Sequence, residues 1–234
     1  ELSYTNILNM LDLAGVPLFS KDRTELAPLV CVGGPCACNP EPIADFCDLV
    51  FLGDGEESTN QVLDLLKECK HAGKSKQYFL SKAKDIRGVY VPSFYVDSYN
   101  NDGTLKELKP INGAPEKVKK AVVSDMNSVY YPKSFVVPFI EIVHDRAVEE
   151  IFRGCIRGCR FCQAGFIYRP IREKSVETIN EQAKALIKST GYDEVSLCSL
   201  STSDHSRVNE MLTSLIDWTV KEKINLSLPS LRVD

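Results

Sequence analysis

The sequence has no apolar run approaching the roughly 20 residues that a membrane-spanning helix requires, and no signal peptide is predicted at its start. It also lacks an excess of either charge, since 28 Lys and Arg residues stand against 32 Asp and Glu residues. These absences argue against a membrane protein, and against binding to nucleic acid or a membrane surface through overall charge. We expect a soluble, cytoplasmic protein with no membrane partner.

A disulfide framework is missing as well. The nine cysteines are odd in number and unevenly clustered, which suits a reducing compartment better than secretion. At 234 residues the chain is long enough for one large domain or two small ones, each with a sizeable core. Residues 1–4 run directly into a helical pattern, and residues 226–234 end inside a predicted strand. We therefore expect a fragment of a longer protein.

Three cysteines within eight residues carry the clearest chemical signal. Cys155, Cys159 and Cys162 are spaced by four and three positions. A ferredoxin-type cluster is held by four Cys thiolates, so three leave one iron open to bind a ligand, as a catalytic zinc keeps one position open. The spacing favours a catalytic metal site whose three sulfurs lie close together. A structural zinc loop or three unconnected thiols are the alternatives, but no second cysteine pair follows at zinc-finger spacing.

The pattern Cys-x-x-x-Cys-x-aromatic-Cys resembles that of the radical S-adenosylmethionine enzymes. Residues 153–154, 163–165 and 168–172 extend the resemblance to a poorly characterised subfamily that carries a cobalamin-binding-like domain in front of the radical barrel. The resemblance implies a 4Fe-4S cluster on the three cysteines, with S-adenosylmethionine at the open iron. Its reductive cleavage would yield a 5′-deoxyadenosyl radical.

The same resemblance implies an electron donor such as flavodoxin or ferredoxin. It leaves the substrate open, with RNA and protein both candidates. A hypothesis from a different class also stands: a non-catalytic metal- or RNA-binding module whose cysteine loop is structural.

Residues 1–74 alternate between helical and strand patterns. Apolar side chains at near-helical spacing predict helices around residues 7–13 and 62–69, and short apolar runs predict strands at residues 29–32 and 49–52. This alternation is typical of an α/β domain with a parallel sheet. By resemblance, it is the C-terminal part of a doubly wound, cobalamin-binding-like domain.

Gly33 and Gly34 follow the first predicted strand, where glycine allows a ligand to approach the backbone. The resemblance makes them candidates for cofactor binding, and cobalamin the candidate ligand. Two observations argue against cobalamin: the upstream half of such a domain is not in this sequence, and Cys36 stands where many relatives have His. The alternative is a pair of tight turns here and at Gly53 to Gly55.

Residues 75–140 have a weaker pattern and are predicted to connect two domains, with some strand content. The β-rich run at residues 90–96 precedes the turn signal Asn-Asn-Asp-Gly at residues 100–103, which predicts a hairpin.

Residues 141–234 are predicted to form three strands alternating with two helices. The strands fall at residues 147–152, 194–200 and 226–233, and Ser175 is a good N-cap for the first helix. This order resembles the first half of a radical (β/α)6 barrel, a partial TIM barrel. The missing half would close it.

Active sites in such barrels lie at the carboxyl ends of the strands. The resemblance therefore makes Ser201, Ser203 and Asp204, after the second strand, candidates for holding the amino group of S-adenosylmethionine. As an alternative, Ser203 and Asp204 cap the following helix. Ser230 and Arg232, after the third strand, are candidates for its ribose or carboxylate.

Phe161 occupies the family's aromatic position and is predicted to shield the cluster and border the adenine. Six basic residues lie between positions 153 and 174, with Glu173 alone opposing them. Such a group suits a carboxylate ligand or phosphate, although a salt-bridged surface is the commoner meaning of a basic run.

Overall fold

The computed structural model describes residues 2–140 and 142–231. The chain divides into two compact units, Glu1–Val123 and Ser124–Asp234. Both units contain helices and strands, so the mixed α/β class predicted from the sequence is confirmed. The three predicted domain ranges, 1–74, 75–140 and 141–234, remain a prediction. No helix in the described part of the chain is both long and apolar enough to cross a membrane.

The first unit is built on a three-stranded sheet, β1 (Cys31–Val32), β2 (Leu49–Phe51) and β3 (Val89–Tyr90), in that order. Strands β1 and β2 are parallel, whereas β3 runs antiparallel to β2. The two strands predicted within residues 1–74 are thus parallel, as expected, and β3, from the predicted connecting segment, makes the sheet a mixed one. The reason is that the direction of a strand depends on where its connection returns to the sheet, which composition does not specify.

Three α-helices belong to this unit: α1 (Tyr4–Leu13), α2 (Ser58–His71) and α3 (Lys76–Ala83). The first two agree with the predicted helical patterns. Helix α3 was not predicted: its four buried residues recur at helical spacing, but of these only Phe79 and Leu80 are large apolar side chains. Its N-cap is Ser75, whose hydroxyl accepts a hydrogen bond from the Tyr78 backbone N–H at 3.2 Å. Phe79 and Leu80 pack in one core with Leu49 of β2.

The predicted hairpin is present. Strands β4 (Tyr95–Tyr99) and β5 (Leu105–Pro110) pair antiparallel around the Asn-Asn-Asp-Gly turn. The turn is closed by the Asn100 backbone N–H, which donates to the Thr104 carbonyl at 2.9 Å, and by Asp102, whose carboxylate accepts from the Thr104 N–H at 3.0 Å.

The chain returns to the end of β2 at Ala121, which packs against two glycines. An added Cβ on Gly53 would lie 2.1 Å from the Ala121 carbonyl oxygen, and one on Gly88 would lie 2.8 Å from the Ala121 Cβ. The Ala121 N–H donates to the Leu52 carbonyl at 2.8 Å, and the Asp54 N–H donates to the Ala121 carbonyl at 3.0 Å. Gly53 is therefore required for a close approach between backbones.

A buried ion cluster holds the loops of the first unit. The carboxylate of Asp48 accepts hydrogen bonds from the Arg23 guanidinium at 3.1 and 3.0 Å, and its other oxygen lies 2.6 Å from the Lys76 ammonium. The Arg23 and Asp48 side chains are 1% and 0% exposed. Burial alone would raise the pKa of Asp48, but hydrogen bonds from Lys76, Ser20 and the Val30 N–H, with the Lys76 charge, lower it below its ordinary value.

The second unit contains a parallel three-stranded sheet. The elements, in chain order, are β6 (Ala147–Glu150), β7 (Phe152–Arg153), α4 (Ala164–Ile167), β8 (Arg172–Glu173), α5 (Val176–Thr190), β9 (Glu194–Cys198), α6 (Val208–Glu222) and β10 (Asn225–Ser227). The sheet order is β10-β9-β6, and both neighbouring pairs are parallel. Short β7 and β8 pair antiparallel beside it.

Helices α5 and α6 connect consecutive strands of this sheet. Ser175 caps α5 as predicted, its hydroxyl accepting from the Thr178 N–H at 3.2 Å, and Gly191 ends the helix with a φ of +74°. The apolar faces of both helices and the sheet share one buried core, which includes Ile179 and Leu215. Since all three strands are parallel, their carboxyl ends lie at one edge of the sheet.

Candidate functional site

The cysteine loop follows β6 and β7 and runs into α4, so it lies at the carboxyl edge of the parallel sheet. Cys155, Cys159 and Cys162 are each partly buried. The Cys162 N–H donates to the Cys159 carbonyl at 3.0 Å, which folds the second half of the motif into a turn. Strand order thus places the three thiols where a parallel α/β sheet binds its ligands.

Two glycines fix the ends of this loop. Gly154 has a φ of +104°, and an added Cβ would lie 2.8 Å from the Pro170 carbonyl oxygen. An added Cβ on Gly165 would lie 2.9 Å from the Arg157 carbonyl oxygen. Any side chain at either position would push the loop from its place. By contrast, Gly158, inside the motif, has open space around it.

The sulfurs of Cys155, Cys159 and Cys162 lie on one loop. Within residues 2–140 and 142–231, no three or more His, Cys, Asp or Glu side chains form a group that would hold a metal ion. The close approach of the three sulfurs around one cluster stays a prediction.

Arg157, inside the cysteine motif, forms an ion pair with Asp204 after β9. The guanidinium donates two hydrogen bonds to the two carboxylate oxygens, one of them from Nε at 2.8 Å. The Asp204 side chain is 6% exposed and that of Arg157 38%. Asp204 does not cap helix α6, whose N-cap is Arg207 and has no side-chain capping bond. The capping alternative is therefore wrong for Asp204.

The end of β9 also contacts the end of β10. The Thr202 N–H donates to the Ser230 carbonyl at 3.1 Å, and the Thr202 hydroxyl donates to the Pro229 carbonyl at 2.8 Å. Ser201 is buried, and its hydroxyl makes no hydrogen bond with the described residues. The structure therefore brings together three predicted candidates, Ser201, Asp204 and Ser230, at one edge.

Other predicted residues lie elsewhere. Ser203 is exposed beside this edge, and Phe161 is 92% exposed on the cysteine loop. Gly33 and Gly34 lie in the first unit, where Gly34 has a φ of +94° just before a short 3-10 segment. Arg232 falls outside the described residues.

Most of the basic residues around the motif are engaged by the protein itself. Arg153 donates two hydrogen bonds to the Glu150 carboxylate, at 3.0 and 2.9 Å. Arg172 donates to the carbonyls of Pro170 and Tyr168, the same stretch on which Gly154 packs. The basic run thus stabilises the loop, while Arg160 stays exposed.

A buried Glu149–Lys174 pair lies beneath this edge and was not predicted. The Lys174 ammonium donates to Glu149 at 2.8 Å and to Gln182 at 2.6 Å, and its backbone carbonyl contacts the His205 ring Nε2 at 3.2 Å. Burial raises the pKa of Glu149, and Lys174 only partly offsets this effect. The His205 Nδ1 accepts a hydrogen bond from the Arg207 N–H at 3.1 Å.

Two families match the chain. Residues 1–92 match the family described as radical SAM proteins, N-terminal, and residues 150–233 match the radical SAM superfamily. The second match contains the complete cysteine motif and the ends of β9 and β10.

A curated relative matches over most of the chain. It is an uncharacterized protein of Methanocaldococcus jannaschii, 30% identical over 203 residues, which cover 86% of this chain. The same alignment covers 37% of the relative, so the chain spans little more than a third of the relative's length.

Proposed function

Because the chain belongs to the radical SAM superfamily, we propose that it is part of an enzyme that binds a 4Fe-4S cluster through Cys155, Cys159 and Cys162. The observation that carries this proposal is the placement of three thiols on one loop at the carboxyl edge of a parallel sheet. Gly154 and Gly165 fix the loop's ends, and Arg157 ties its middle to the next strand. When bound, the cluster supplies the electron that cleaves S-adenosylmethionine reductively to a 5′-deoxyadenosyl radical.

The residues at this edge fit S-adenosylmethionine. The buried Ser201 hydroxyl has no hydrogen-bond partner in the described chain, and a buried polar atom of that kind favours a polar ligand. Asp204 points its carboxylate at Arg157, so we assign the ligand's amino group to Ser201 and nearby carbonyls, with Asp204 positioning the loop. Ser230, Arg232, Ser203 and Phe161 remain proposed contacts.

The finer fold assignment is also part of the proposal. The order strand, helix, strand, helix, strand in residues 147–227 supports the first half of a (β/α)6 barrel. The mixed sheet of the first unit supports a cobalamin-binding-like domain less well, because β3 is antiparallel. Gly34 lies in a turn with open space around it, so cobalamin stays outside the proposal.

Reduction requires an electron donor, such as flavodoxin or ferredoxin. Three apolar side chains around the cysteine loop are solvent-exposed and available to such a partner: Ile156, Phe161 and Phe166. The substrate stays open between RNA and protein.

Anaerobic reconstitution with iron and sulfide tests the proposal. The native chain should take up four irons, turn brown and change its absorption spectrum when S-adenosylmethionine is added. Cys159→Ala should lose the cluster and keep its thermal melt, because the loop lies outside the core. Cys198→Ala, which removes an exposed thiol of β9, is the matched control and should bind iron normally.

Two results would contradict the assignment. Four irons in Cys159→Ala would exclude that thiol as a ligand. Binding of one zinc by the native chain, with no iron–sulfur spectrum, would favour the alternative of a structural metal module.

A further inference from the structure

A cavity in the first unit has a strongly cationic wall. Its volume is about 420 Å³, and its lining includes Lys84, Arg87, Lys117 and Lys119, with Asp85 as the acidic member. The chain as a whole has a formal net charge of −4. This groove therefore has the opposite sign to the chain's net charge, and it lies in the first unit, whereas the cysteine loop belongs to the second.

The cations differ in how far the protein already uses them. Lys84 is 15% exposed and its ammonium lies 2.7 Å from the Asp85 carboxylate, so that pair is internally balanced. Arg87 donates from Nε to the Lys120 carbonyl at 3.2 Å. Among the described residues, its terminal nitrogens and the ammonium groups of Lys117 and Lys119 make no hydrogen bond or ion pair. Three cations are thus available to a ligand.

The backbone that carries these cations is held in place. Val118 packs against the core of the first unit, while Lys117 and Lys119 on either side of it are exposed. Two residues further on, Ala121 is fixed against Gly53. The hydrogen bond from the Arg87 Nε to the Lys120 carbonyl, at 3.2 Å, holds the Arg87 guanidinium to the same segment. The groove is therefore preorganised instead of being a set of independent surface lysines.

The turn at residues 111–114 completes the groove. Asn112 and Gly113 have φ values of +54° and +70°, and the Ala114 N–H donates to the Ile111 carbonyl at 3.0 Å. This Asn-Gly sequence is the usual one for a tight turn with two positive φ angles. An added Cβ on Gly113 would contact Lys84 at 3.9 Å, so the turn packs on the lysine's stem.

We propose that this groove binds the phosphates of single-stranded RNA. Its available charges come from separate chain segments along an open groove, which suits successive phosphates of an extended strand better than one enclosed anion. No aromatic side chain lines it, so base stacking is not available and binding should not depend on sequence. The proposal goes beyond the iron–sulfur function and does not depend on it.

Fluorescence anisotropy with a labelled twelve-residue oligouridylate tests the proposal, using the full chain without iron under reducing conditions. Three phosphate contacts predict that log K falls with log salt concentration at a slope of about −2, since each contact on a single strand contributes about 0.7. Replacing Arg87, Lys117 or Lys119 singly by Ala should each reduce the slope by about 0.7. Oligoadenylate of equal length should bind within about twofold of oligouridylate.

The triple variant Arg87→Ala, Lys117→Ala and Lys119→Ala should bind at least tenfold more weakly at low salt. The control replaces Lys106 and Lys109 by Ala, because both are exposed on β5 of the same unit but do not line the groove. It should bind as the native chain does, and circular dichroism melts of both variants establish that they are folded.

Four outcomes would overturn the proposal. Uridine monophosphate that binds as tightly as the oligomer would show a site for one phosphate. Polyglutamate that competes equally well would show that phosphate is not recognised. A triple variant with native affinity, or a control with an equal loss, would place the binding elsewhere.

Discussion

The Arg157 guanidinium and the Asp204 carboxylate form a two-point hydrogen-bonded ion pair between the middle of the cysteine loop and the end of β9. The two residues are 47 positions apart in the sequence. The pair joins the thiol-bearing loop to the strand end where the ligand's polar groups are expected. Loss of the pair should therefore change both the stability of the second unit and the hold of the cysteine loop on iron, and separate experiments measure each.

A double-mutant cycle on Arg157→Ala and Asp204→Ala should give a coupling energy of about 1 kcal/mol in urea unfolding. Paired charge-assisted bonds are stronger when buried, but Arg157 is 38% exposed and solvent screening reduces the gain. Both single variants should also release iron from the reconstituted loop faster than the native chain. The control pair is Arg207 and Glu210, also joined by two hydrogen bonds but exposed. Its loss should leave iron release unchanged, and equal iron release from all variants would argue against loop positioning.

Gly154→Ala should destabilise the second unit by about 2 kcal/mol or more, because a side chain at positive φ is strained and its Cβ meets the Pro170 carbonyl. Iron uptake should fall as well. Gly158→Ala is the matched control, since its Cβ would enter open space, and it should change stability by no more than about 0.5 kcal/mol. Urea unfolding and iron analysis of both variants give the comparison, and equal effects would remove Gly154 as an anchor.

Reconstitution should protect the cysteine loop from trypsin. Arg160 is exposed on the cysteine loop, so without iron the loop should be cut after this residue, between Cys159 and Cys162. Ligation of all three would close the loop and slow cleavage at least tenfold. Mass spectrometry of the fragments identifies the bond cut. Cys159→Ala treated with iron and sulfide should stay sensitive, and a protected variant would mean that closure does not require this ligand.

Asp48→Asn should cost about 3–5 kcal/mol at pH 7, because it leaves Arg23 and Lys76 buried without their counter-charge. The direction in which stability changes with pH follows from the lowered pKa of Asp48. A carboxyl with a lower pKa in the folded state contributes stability above its unfolded pKa, and loses it as pH falls through the folded value. The difference between native and variant should therefore be full at pH 6–7 and shrink below about pH 4. Urea unfolding at a series of pH values measures it, and a difference that grows in acid would contradict the assignment.

The helices predicted from the sequence were those with a clear amphipathic period. In α2, α5 and α6 the apolar residues recur at helical spacing, and burial of that stripe decides the structure. The antiparallel direction of β3 depends on how the chain returns to the sheet, which no local pattern records. The contact between Ala121 and Gly53 could not be predicted either, because the two residues are far apart in the sequence.

At the site, the cysteine spacing singled out the loop because its three cysteines are close together in the sequence. The Arg157–Asp204 and Lys174–Glu149 pairs join residues 47 and 25 positions apart. A charge pattern alone does not say which acid each base will meet, and here it overstated the number of cations available to a ligand. Arg160 can be recognised as the exposed arginine of the motif only once the partners of the neighbouring arginines are known.

The return of residues 121–123 to the end of β2 sets an order of events during synthesis. The Val123 N–H donates to the Asp54 carboxylate at 2.8 Å across 69 positions, and Ala121 fills the space left by two glycines. Strand β3 emerges from the ribosome ~30 residues earlier, which is a few seconds at roughly 5–20 residues per second. Until then the Leu52 carbonyl and the Asp54 N–H lack the Ala121 backbone groups that they bond in the folded unit. Nascent chains of this protein are therefore exposed to chaperones and proteases for that interval, however stable the finished unit becomes.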